Sequence, residues 1–127
     1  MISSVSFHPF ISHFPIALFI AGLGLLILSR KKDNPIYQSA AAFNFSMGFI
    51  AAIMADFSGM VSVDVGLRTT VEVEGHQGYS FLFTIFYGFI TVYSYTKAFS
   101  RTAYIYYGLS FLAMCACAIS GYSLVFK

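Results

Sequence analysis

Four ionisable side chains stand in or beside runs of sequence that are otherwise apolar. His8 and His13 fall in the stretch HPFISHFPIAL, from His8 to Leu18. Asp56 lies late in a second apolar run, and His76 opens a third. Ionisable groups at membrane depth are costly, and they are usually kept for a function. Imidazole and carboxylate are metal ligands, so His8, His13 and His76 with Asp56 offer a donor set for copper or zinc. Their spacing matches no recognised ligand motif. The alternative is structural: the same groups hydrogen-bond to one another, or to backbone carbonyls freed by Pro15, and lock helices together. Either use requires that the fold bring them to one place.

Composition says what must position them. The chain has 127 residues, 58% hydrophobic and 9% charged, against roughly 45–50% apolar and about 25% charged in a soluble domain. So short a chain cannot bury that much apolar surface in a soluble core, so the expected solvent is the lipid bilayer. A net charge of +2, scattered along the chain, argues against nucleic-acid binding. Cys115 and Cys117 sit in an apolar run and read as packing residues rather than a disulfide framework. No basic residue precedes the first apolar run, so it does not read as a cleaved signal and is expected to be retained.

A span needs about 20 mostly apolar residues. Four stretches meet this, at about 9–29, 36–61, 76–98 and 102–126. Pro9 suits the first helical position, and Pro15 should bend the first helix rather than end it. A charged turn, Arg30 to Pro35, and a polar loop, Ser62 to Gly75, separate the first three spans. The expected fold is therefore all-α: a single-domain, integral membrane, antiparallel four-helix bundle running up-down-up-down. Small residues along the second span, among them Ala41, Gly48 and Ala52, allow close helix approach.

Arg30, Lys31, Lys32, Lys97 and Arg101 fall in the first and third connections. The positive-inside rule then places both termini and the loop after the second span outside a bacterial inner membrane. With that topology His8, His13, Asp56 and His76 all lie near the outer interface. His13 is expected about four residues into its helix and His76 one or two into its own, a depth difference of roughly 5 Å or less. His8 and His13 are about 140° apart on one helix, so both face one site only if His8 is a cap. His13 shares its face with Ala17, Ala21 and Gly24, which leaves room beside it. In the third span His76, Ser80, Thr84, Tyr87, Thr91 and Tyr95 recur every three or four residues and form one polar stripe. Such a stripe reads as interhelical glue first and as a proton or quinone path second.

His8-Pro9, His13-Phe14-Pro15-Ile16, Ser58-Gly59 and His76 together resemble the small membrane-domain family known as DUF2231. The likeness runs over nearly the whole chain. It departs where the family usually has an Asp just after the Gly, since Asp56 precedes Gly59 here, and at Ser12, where the family is often apolar. That family resembles small four-helix cytochrome b-type membrane domains, and relatives are joined to redox domains. The resemblance implies a haem b-binding electron-transfer protein or a cytochrome b-like subunit, with His13 and His76 as axial ligands. Asp56 would accept a ring N–H of one ligand, and Arg68 would pair with a haem propionate. The partners implied are a second copy or a larger membrane redox complex. The rival expectations are a non-catalytic structural subunit and a copper- or zinc-handling membrane protein. No Cys-x-x-Cys-His is present for covalent haem, and no nucleophile elbow for a hydrolase.

Overall fold

The computed structural model describes the backbone of residues 4–65 and 70–126 and the side chains of 13–58 and 76–120. It has four helices: α1, Ser4–Lys32; α2, Pro35–Val65; α3, Thr70–Thr96; and α4, Arg101–Phe126. Successive helices pack against each other as an up-down-up-down bundle, with α1 and α2 the most extensive pair. Among the described residues there is no strand.

Three segments are long and apolar enough to cross a membrane: His13–Lys32, Pro35–Ser58 and Arg101–Ser120. These make the chain a membrane protein. The remaining helix, α3, carries the hydroxyl stripe, which lowers its hydropathy. Its other face, with Leu82, Ile85, Phe89 and Val92 exposed, is apolar.

Two sequence expectations are corrected. The first helix begins at Ser4, so Pro9 is its sixth residue rather than its first, and the His8 backbone is helical rather than a cap. The loop expected from Ser62 to Gly75 is short, because α2 runs on to Val65 and α3 restarts at Thr70. Apolar runs mark where a helix meets lipid; a helix can continue beyond them with polar residues.

The connection from α1 to α2 is built by its own residues. Asp33 adopts a left-handed φ of 50°, which ends α1. Asn34 then caps α2, its Oδ1 accepting the Ile36 N–H at 3.0 Å, and Pro35 takes the first helical position. Ser100 does the same for α4, its Oγ accepting the Ala103 N–H at 3.2 Å.

The core is aromatic. Phe19 of α1 meets Phe83 and Tyr87 of α3 edge-on, with ring centroids 5.6 and 5.7 Å apart. Phe45 of α2 stacks on Tyr107 of α4 at 6.2 Å. Two glycines make room for these rings. A Cβ on Gly22 would lie 2.6 Å from the Phe45 ring, and one on Gly48 would lie 1.8 Å from the Tyr87 hydroxyl.

Candidate functional site

The polar residues of α3 face the bundle in one continuous line. At the end where α3 begins, Ser80 donates to Oδ1 of Asp56, and Thr84 donates to Oδ2 across 2.7 Å. Ser80 and Thr84 are one turn apart, so both hydroxyls reach the carboxylate that α2 presents. The Cys117 thiol of α4 sits against the Ser80 side chain, which ties the third helix into the cluster.

His76 lies one turn before Ser80 on the same face and is half-buried. Its Nδ1 is 2.8 Å from Ser120 Oγ, and Ser120 Oγ in turn lies 3.0 Å from the Cys117 carbonyl, to which it donates. The Ser120 hydroxyl thus anchors one ring nitrogen of His76, accepting from Nδ1 or donating to it according to the tautomer.

Deeper in the bundle the stripe serves packing. Tyr87 is fully buried and donates to the Pro15 carbonyl at 2.8 Å. Thr91 bonds the Tyr87 carbonyl at 2.8 Å and lies 3.3 Å from the Phe45 carbonyl. The Tyr95 and Ser46 hydroxyls are 2.8 Å apart. The stripe from Ser80 to Tyr95 is thus interhelical glue.

The remaining site candidates are placed less uniformly. His13 is the tenth residue of α1 and His76 the seventh of α3, so each lies near the start of its helix. His13 is exposed, however, whereas His76 is turned to α4. Among the described residues no three His, Cys, Asp or Glu side chains are gathered as a metal site. The side chains of His8 and Arg68 lie outside the described residues.

Sequence reasoning missed Ser120 and Cys117 as part of this cluster. Their only signal is a three-residue spacing on α4, and it gains meaning only once α4 is known to pack on the His76 face. Asp56 accepts from Ser80 and Thr84, whose i, i+4 spacing suits two hydroxyls to one carboxylate. No known protein family, curated protein or solved structure matches the chain.

Proposed function

We propose that this chain is a membrane electron-transfer subunit in which His76 and His13 would hold a b-type haem at the histidine end. The observation that carries this reading is the hydrogen bond between His76 Nδ1 and Ser120 Oγ. A metal-bound histidine usually has its other ring nitrogen anchored by a hydrogen bond, and Ser120 offers such an anchor at His76. His13 lies near the start of α1 and is exposed. The resemblance to DUF2231 adds the class of cofactor.

A haem so held would supply a one-electron couple with a potential set by its axial ligands. The chain's own residues do the rest. Ser120 orients His76. Ser80 and Thr84 hold the Asp56 carboxylate at the same end, where negative charge favours the oxidised state of a nearby redox centre. The Phe19, Phe83 and Tyr87 rings close the core beneath. With α3 counted as the fourth span, the basic connections face the cytoplasm and the histidine end faces outward across a bacterial inner membrane. The electron partner is then an outward-facing one, reached alone, as a homo-oligomer or within a larger redox complex.

The second reading is a structural subunit of such a complex, and one observation favours it: the hydroxyls of Ser80, Thr84, Tyr87, Thr91 and Tyr95 all bond within the bundle. An oxidised-minus-reduced absorption spectrum of the protein in mild detergent separates the two. A Soret shift with an α band supports haem b. A flat spectrum from haem-replete cells supports the structural subunit, and bound copper or zinc in that preparation would point instead to metal handling.

A further inference from the structure

The opposite end of the bundle carries most of the positive charge. Arg30, Lys31, Lys32, Lys97 and Arg101 lie there with a single acid, Asp33, and all six are exposed. No carboxylate within the described residues pairs with any of the five cations. Asp33 sits in the turn between α1 and α2, with its backbone committed to the left-handed bend.

One of these cations is held in place. Arg30 of α1 donates from its guanidinium to the Tyr104 hydroxyl of α4, and its charge lies over the Phe99 ring, 5.4 Å from the centroid. Arg101 lies three residues before Tyr104, so it occupies the same face of α4. The fold therefore brings Arg30 of α1 onto the face of α4 on which Arg101 lies one turn away. Two like charges on one face repel each other, and an anion beside them relieves that repulsion. Guanidinium groups suit a phosphate in particular, because their planar donors match its oxygens.

The neighbouring surface says where that phosphate comes from. Tyr104 is 45% exposed, and beside it Ile105 is 55% and Leu109 39% exposed, both apolar. Cations at a helix end above apolar, outward-facing side chains match a lipid, with its headgroup at the arginines and its acyl chains along α4.

We propose that Arg30, Arg101 and Tyr104 form a binding site for the headgroup of an anionic phospholipid, between α1 and α4 at the basic end. The site is independent of any cofactor at the histidine end.

The test uses the full chain in phosphatidylcholine nanodiscs, titrated with a fluorescent phosphatidylglycerol. Saturable binding is expected, and the pair Arg30→Gln and Arg101→Gln should weaken it about thirtyfold, the combined effect of two cations at an anionic surface. Both side chains are exposed, so the variant should fold, which circular dichroism checks. Tyr104→Phe, which keeps the ring and drops the oxygen that holds Arg30, should weaken binding less. Binding unchanged in the double arginine variant would overturn the proposal. So would an equal loss in the pair Lys31→Gln and Lys32→Gln, which would mark diffuse surface charge. Competition by inorganic phosphate at low concentration would also overturn it, marking a free-anion site instead of a lipid site.

Discussion

The Tyr87 hydroxyl donates to the Pro15 carbonyl across 2.8 Å, and it does so over the bare Cα of Gly48. One tyrosine thus joins three helices: it grows from α3, bonds α1 and rests on α2. In lipid, where apolar surface alone gives little reason for helices to associate, close packing and such bonds carry the association.

Gly48→Ala is the substitution this arrangement tolerates least. The added carbon would lie 1.8 Å from the hydroxyl and 2.6 Å from the ring carbon Cζ. Tyr87 is fully buried and has nowhere to move. Overpacking of this kind costs about 1–3 kcal/mol, read as loss of stability in detergent unfolding. Tyr87→Phe alone should cost about 1 kcal/mol. It should not rescue Gly48→Ala, because the ring carbon remains in the way.

The glycines of α1 give a matched pair. Gly22→Ala drives a carbon to 2.6 Å from the Phe45 ring and should destabilise the α1–α2 pair. Gly24→Ala meets nothing within 4 Å. It should be neutral, or stabilising by up to about 1 kcal/mol through helix propensity. Thermal unfolding of the two variants side by side checks this; equal effects would contradict the packing described.

Much of this was legible in the sequence. The hydropathy of α1, α2 and α4 fixes three membrane helices, and the spacing from His76 to Tyr95 identifies the stripe that α3 turns inward. Helix ends were not legible, since polar residues such as Asp64 and Thr70 continue a helix as readily as they form a loop. Nor was the direction of each histidine. Whether His13 faces its partners or the exterior depends on the rotation of α1, which Gly22 against Phe45 and Pro15 against Tyr87 set. Those contacts join residues 23 and 72 positions apart, which periodicity within one helix does not report.

Asp56 and Thr84 should be energetically coupled. A double-mutant cycle with Asp56→Ala and Thr84→Ala is expected to give a coupling of about 1 kcal/mol, in the range of polar contacts between membrane helices. Additive effects would show that the hydroxyl and carboxylate do not depend on each other.

Ser110 runs against the pattern. It is fully buried on α4, and its hydroxyl has no hydrogen-bond partner among the described residues. A buried hydroxyl without a partner costs about 1–3 kcal/mol. Ser110→Ala should therefore raise the unfolding temperature or leave it unchanged, and a clear loss of stability would show that the hydroxyl does bond in the folded protein.

The central claim is that His76, set by Ser120, is a haem ligand. The most direct measurement is haem content per chain, by pyridine haemochrome assay, in wild type, His76→Ala and Ser120→Ala purified from haem-replete cells. The account predicts stoichiometric haem in wild type and none in His76→Ala at unchanged helicity. Ser120→Ala should keep its haem with an altered spectrum or midpoint potential. A full haem load in His76→Ala, or none in wild type, would contradict it.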